Sequence, residues 1–344
     1  MHWHKIQPHG TAPSPLRAHS MTLVGHRLFV FGGCDSKACY NDLYVFDTEA
    51  LFWSKAKTRG NIPEPCRAHS AVLLDRKIFV FGGGDGPLYF ASLHVLDTDT
   101  FTWTKLEVPG PGPGPRRAHT TWVYDGNIYV YAGGDGVRAI SDIYVLNTRD
   151  AILGQHPSSM ISPSPAPAEL SPSSNHVPLM WSRVNTSGTP PSPRGYHTSN
   201  LVQGGAKVVV FGGSDGHECF SDVHVLDMVE MRWHVGEIDR PNPRLSHTAT
   251  QVGSYLFILG GHDGGRYSND VLLLNLVTMN WETRRCFGGP PRGRGYHASV
   301  LYDSRIFVFG GYDGAEVFDD MWVLDLSACA YLPQITAFEV AVDS

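Results

Sequence analysis

A pair of glycines closing a short apolar run recurs six times along the chain, at Gly32-Gly33, Gly82-Gly83, Gly133-Gly134, Gly212-Gly213, Gly260-Gly261 and Gly310-Gly311. The intervals are 50, 51, 79, 48 and 50 residues. Self-similarity at a fixed period marks a repeat architecture, in which no single unit buries its core alone. The one long interval has a visible cause. Residues 151–180 hold six Pro and seven Ser in thirty positions. Such a composition cannot bury enough apolar surface to order itself, so a disordered insertion inside the third repeat is expected there.

Four pieces recur in each period. The first is an Arg-to-His-Ser/Thr segment, aligned on Arg17, Arg67, Arg117, Arg194, Arg244 and Arg294. The second is the apolar run into the glycine pair, such as LFVFGG. The third is an alternating run at 42–47, 92–97, 142–147, 222–227, 270–275 and 320–325. The fourth is a tryptophan in a short strand: Trp53, Trp103, Trp181, Trp233 and Trp281, with Trp3 at the start of the chain. Runs of this length, rich in Val, Ile, Phe and Tyr and bounded by Gly, Pro, Asn or Asp, are strand signals without helical period. Charged residues are only 17%, with 37 Gly and 24 Pro, which excludes a coiled coil or charged helical bundle. Hydrophobic content of 42% excludes global disorder.

Four short antiparallel strands repeated six times describe an all-β, six-bladed β-propeller, an architecture that leaves only short, protected edges. The order FVFGG, (N/S)D, apolar run, Asp and Trp resembles the kelch repeat over essentially all of residues 3–331. The repeat style resembles kelch scaffolds of fungal cell polarity and of Ras- and Rab-related regulators. The resemblance implies a non-catalytic protein-interaction scaffold or regulator that binds partners on the loops at one end of the channel. A length of 344 residues alone suggests two domains. The repeat replaces that with one propeller over 1–331 and a tail over 332–344. Closure has two candidates for the outer strand of blade six. Tyr331 follows Asp325 by the Asp-to-Trp offset, whereas Trp3 precedes Arg17 as Trp53 precedes Arg67. Trp3 pairing onto the last blade is the expectation.

The glycines and tryptophans are read as structural, the glycines for tight space or positive φ and the tryptophans for burial against the next blade. Asp35, Asp85, Asp135, Asp215, Asp263 and Asp313 stand in register at the expected rim, with His19, His69, His119, His197, His247 and His297. A residue present in every blade is most simply explained by what every blade needs, namely turn hydrogen bonds and Arg–Asp pairing. Function is expected where the repeat is broken. The candidate partner-binding rim is Lys37 and Tyr40 of blade one, Tyr89 and Phe90 of blade two, and Arg138 of blade three. It continues with His217, Glu218 and Phe220 of blade four, His262, Arg266 and Tyr267 of blade five, and Tyr312 and Glu316 of blade six. Exposed Tyr, Arg and His on a rigid frame suit hot-spot recognition of a protein partner.

The alternative reading is a metal-dependent lyase or isomerase, of the specifier-protein or sugar-epimerase type within kelch-like propellers. Glu218…Asp222 and Glu316…Asp320 match two positions of an E-x-x-x-D-x-x-x-H pattern, but Leu226 and Leu324 stand where His is required. No catalytic residue, metal site or cofactor is therefore expected. Net charge is −6 without a basic block, which argues against nucleic acid. No window is long and apolar enough to span a membrane. The opening MHWHKIQPHG does not resemble a leader peptide. The six cysteines contain no C-x-x-C pair and are read as reduced thiols in the cytoplasm, with the cell cortex a further location. A monomer is expected. Ser162, Ser164 and Ser171 each precede Pro in the insertion and are candidate phosphosites.

Overall fold

Each apolar run that ends on glycine is the second of four antiparallel strands in its blade, and in blades one, two and four a two-residue strand, His9–Gly10, Arg59–Gly60 or Ser187–Gly188, adds in parallel to the outermost. In blade one the order outward from the axis is Ser20–Val24, Arg27–Phe31, Leu43–Asp47 and Phe52–Lys55. The pattern repeats in every blade, and the innermost strands Ser20–Val24, Ser70–Leu74, Thr120–Tyr124, Thr198–Val202, Thr248–Val252 and Ala298–Tyr302 touch in a closed circle. The fold is a six-bladed β-propeller. The computed structural model describes residues 1–149, 179–202, 205–327 and 338–341. Most of the Pro/Ser-rich segment, with Ser162, Ser164 and Ser171, and Tyr331 lie outside the described residues. The segment enters between the third strand of blade three, Ala139–Leu146, and its outer strand, Trp181–Val184.

The ends of the chain meet in blade six. Its outer strand is His2–Ile6, antiparallel to Met321–Asp325, with Trp3 opposite Leu324. The N-terminal strand therefore closes the ring, as the position of Trp3 indicated. Near the other end, Val340 is buried with Leu276 and Met279 on blade five.

The core lies in the seams between blades. The six tryptophans of the fourth repeat piece are all buried. Those of blades one to five each meet an aromatic ring of the preceding blade. The Trp53–Phe309, Trp103–Phe31, Trp181–Phe81, Trp233–Tyr131 and Trp281–Phe211 centroids are 4.9–5.6 Å apart. Trp3 packs with Leu259 and Leu324 in the last seam.

Two features of register differ from the sequence reading. First, in blade three the residues at positive φ are Ala132 (60°) and Gly133 (97°), matching Gly32 (65°) and Gly33 (88°) of blade one. Gly134 corresponds to Cys34 instead, because both bridge the arginine two residues before the ring histidine. The true interval from Gly82 is thus 50 residues, and Ala132 holds a backbone that favours glycine. Elsewhere the first glycine is required by space: a Cβ on Gly212 would lie 2.3 Å from the Arg244 carbonyl oxygen. Second, the six arginines of the first piece belong to two different positions. That difference shapes the rim around the channel mouth.

Removing residues 1–8 takes the outer strand from blade six, so the thermal midpoint is expected to fall. Trp3→Ala alone should cost about 3–5 kcal/mol in equilibrium denaturation. An unchanged midpoint on deletion would show that another segment closes the ring.

Candidate functional site

The residue before each ring histidine adopts a left-handed backbone: Ala18, Ala68, Ala118, Tyr196, Ser246 and Tyr296, with φ between 53° and 59°. That conformation turns each N–H toward the carbonyl of the preceding blade. The bonds Ala68→Ala18, Ala118→Ala68, Tyr196→Ala118, Ser246→Tyr196, Tyr296→Ser246 and Ala18→Tyr296 span 2.7–3.0 Å and close a full circle about the axis. The second glycine of each pair makes another circle, donating to the next blade at 2.7–2.9 Å, from Gly33→Cys66 around to Gly311→Leu16.

The six ring histidines are buried beneath these circles around the floor of the channel. Five bond through Nε2 to a hydroxyl of the preceding blade: His69–Ser20 (2.9 Å), His119–Ser70 (2.8 Å), His197–Thr120 (3.0 Å), His247–Thr198 (3.0 Å) and His297–Thr248 (3.2 Å). The sixth has none. The residue that would serve His19 is Ala298, and the buried Nε2 of His19 is left without a partner. Burial drives the imidazoles of His19, His197 and His297 down to about 3 and that of His69 to about 4. His119 and His247 are also held well below the ordinary value, chiefly by burial. The ring is neutral and structural.

Three residues before the ring histidine stand Leu16, Cys66, Arg116, Arg194, Arg244 and Arg294, all buried. The four arginines reach the aspartate just before the apolar run of the third strand: Arg116–Asp142 at 2.7 Å, Arg194–Asp222 at 2.6 Å, Arg244–Asp270 at 3.3 Å and Arg294–Asp320 at 2.6 Å. Each also donates to the carbonyl of the first residue of the glycine turn. A buried guanidinium is tolerated only when so paired. Blades one and two lack this arginine. There Asp42 turns to Lys55 at 2.9 Å, and Ser92 replaces the aspartate.

Arg17, Arg67 and Arg117 stand one residue later, on the rim side. None has a carboxylate within ion-pair distance among the described residues. Arg17 lies over the Tyr312 ring at 4.5 Å, and Arg117 lies over Tyr89 at 3.8 Å and donates to the Gly86 carbonyl. At the same position blades four to six carry Gly195, Leu245 and Gly295. The mouth is therefore two-sided. Three cations and three alanines face one half; the aromatic rings of Tyr196, Tyr296, Tyr267 and Tyr312 occupy the other, with centroids 5.4–6.5 Å apart. The adjacent Arg116-Arg117 in blade three was the sequence signal for two distinct arginine positions.

The structure gathers some candidate rim residues and separates others. Tyr89 and Arg138 share a cleft of about 410 Å³ with Arg117 and Asp215. His262, Arg266 and Tyr267 line a second cleft of about 590 Å³ with Arg292 and Asp313. Glu316 pairs with Arg292 at 2.5 Å. Lys37, His217 and Glu218 are exposed at loop tips. Tyr40 and Phe90 pack into seam clusters, and Phe220 lies under Arg194 at 4.3 Å. Leu88 and Val137, exposed at 61% and 93%, stand at loop tips that sequence reading passed over. The rim aspartates Asp35, Asp135, Asp215, Asp263 and Asp313 each accept two backbone N–H groups of their own loop. They serve as turn residues rather than as partners of the buried arginines. Asp222 and Asp320, candidates for the metal pattern, are held by Arg194 and Arg294. Among the described residues no three His, Cys, Asp or Glu side chains converge as a metal site, and no helix is long and apolar enough to cross a membrane.

Six radial blades, glycine turns, seam tryptophans and a terminal strand closing the last blade define a kelch-type propeller. The chain belongs to the family described as the KLHDC2/KLHL20/DRC7 Kelch-repeats domain, whose model matches residues 1–171 and 172–336. It is 34% identical over 76 residues to acyl-CoA-binding domain-containing protein 5 of Arabidopsis thaliana, covering 22% of this chain and 12% of that protein. It is 31% identical over 118 residues to the Rab9 effector protein with kelch motifs of Mus musculus, covering 29% of this chain and 31% of that protein. The matched stretches thus span under a third of these relatives.

The histidine ring sets a pH dependence. Below pH 6.5 the unfolded chain gains protons that the folded ring refuses, so this stability is complete above 6.5 and is lost as pH falls through the range down to about 3. Each histidine contributes a slope of about 1.4 kcal/mol per pH unit. The thermal midpoint should be flat above neutrality and drop steeply in acid; a midpoint insensitive to acid would refute the assignment. Ala298→Ser should supply the hydroxyl that His19 lacks and add about 1 kcal/mol in denaturant unfolding.

Proposed function

We propose that this chain is a non-catalytic protein-interaction scaffold or regulator, acting in the cytoplasm or at its cortex as a monomer, that binds a protein partner across the loop rim. The observation that carries the reading is the arc of Arg17, Arg67 and Arg117, none with a carboxylate partner among the described residues, facing a tyrosine-rich half around one channel mouth. Cations without carboxylates beside aromatic rings on a rigid frame are the composition of binding hot spots. The arc favours a partner that presents acidic groups, and the exposed Leu88 and Val137 add apolar contact. The Rab9 effector relative is consistent with a protein partner. The repeated side chains are committed to the seams, which leaves the varied loops to provide specificity.

Affinity capture tests this with wild type, a rim variant (Tyr89, Arg138, His217, Arg266 and Tyr312 all to Ala) and an opposite-face control, Val229→Ser. A specific partner should be retained by wild type and control and lost by the folded rim variant. An unchanged partner set in the rim variant would overturn the reading.

A further inference from the structure

The rim loop of blade one places two sulfur atoms side by side. Cys34 and Cys39 face each other across an antiparallel bridge, with Sγ–Sγ 2.7 Å. The flanking bonds run from Asp35 N–H to the Ala38 carbonyl (3.1 Å) and from Tyr40 N–H to the Gly33 carbonyl (2.9 Å). The two residues are therefore a non-hydrogen-bonded pair, whose Cα atoms lie about 4.5 Å apart. That is inside the roughly 4.4–6.8 Å window of a disulfide. The matching pairs in the other blades are Gly84–Tyr89, Gly134–Ala139, Ser214–Cys219, His262–Tyr267 and Tyr312–Val317. Blade one alone carries sulfur on both sides.

Neighbouring charges give the two thiols different characters. The S–H that Cys39 donates to Cys34, and after it the guanidinium groups of Arg67 and Arg17 alongside, hold the Cys34 thiol below the ordinary value. Cys39 is shifted upward by that same hydrogen bond, by burial and by the Asp85 carboxylate of blade two. Cys66, close by, is pushed up to about 12 by burial and does not compete. Cys34 is only 4% exposed, so a small oxidant can reach it where a bulky disulfide cannot; Cys39 is half-buried.

We propose that Cys34 and Cys39 form a reversible oxidative modification site, taken to a disulfide by a hydroperoxide. The Cys34 thiolate attacks the peroxide, an S–O bond forms, the O–O bond breaks, and hydroxide leaves and is protonated to water. The Cys39 sulfur then attacks the Cys34 sulfenic acid, releasing its own proton and a hydroxide that together leave as water. Two thiols and one hydrogen peroxide give one disulfide and two waters. Glutathione reverses the step by attacking the more exposed Cys39 sulfur, with Cys34 leaving as its stabilised thiolate. A second glutathione releases Cys39 as the thiol and forms glutathione disulfide.

Trypsin reads the site directly, because Lys37 lies between the cysteines. Full-length protein is treated with hydrogen peroxide, blocked with N-ethylmaleimide and digested without reductant. Peptides 28–37 and 38–55 should be recovered joined, two hydrogens lighter than their sum, and should separate after glutathione. In Cys39→Ser, dimedone should label Cys34 and leave Cys219, whose thiol is raised to about 11, unlabelled. The joined species should form at least about tenfold faster in folded than in urea-unfolded protein, since only the fold supplies the arginines that activate Cys34. Separate, maleimide-blocked peptides after peroxide would overturn the proposal. So would equal rates in urea, or Cys34 labelling no faster than Cys219.

Discussion

Six backbone hydrogen bonds close a circle through Ala18, Ala68, Ala118, Tyr196, Ser246 and Tyr296, and every blade depends on it. Each member holds a left-handed backbone that costs an L-residue about 1–2 kcal/mol. The conformation survives because it is what lets a carbonyl and an N–H point tangentially to the two neighbouring blades. A closed circle has no end at which to fray, so blades are added or lost together. Five of the six ring histidines repeat the same logic in side chains, each bonding to the blade before it.

The symmetry of the repeat and its exceptions separate two kinds of chemistry. What every blade repeats is turned inward to its neighbours: the glycine turns, the tryptophans and the neutral histidines. The buried arginines occupy four blades and each is matched by an aspartate, whereas the two blades without one have Leu16 and Cys66 instead. What is not repeated faces the mouth, where arginines on blades one to three confront tyrosines on blades four to six.

Two departures from symmetry meet where blade six joins blade one. The outer strand of blade six comes from the opposite end of the chain, and the ring histidine of blade one lacks the hydroxyl found in the other five seams. Strand 2–6, paired into blade six and running on into blade one, supplies there the covalent continuity that the other seams possess through the chain itself, while its Trp3 is buried between blades five and six.

Strands, period, blade number and the closing role of Trp3 were legible in the sequence, because alternation, glycine turns and a fixed period are local properties of a chain. The aspartates of the rim loops were legible as turn residues for the same reason. The two arginine positions differ by one residue, and the shift of the glycine turn to Ala132-Gly133 is equally small; such offsets acquire meaning only when a side chain is placed relative to the next blade. Arg67 beside Cys34, Asp85 beside Cys39, and His19 facing Ala298 are contacts between blades, up to the whole length of the ring apart. Sequence by itself determined that six sheets would form and narrowed the closing strand to two candidates, of which Trp3 was the expected one. Tertiary structure decided which side chains are consumed in the seams and which remain at the mouth, because that choice is made between neighbours in the circle and not between neighbours in the chain.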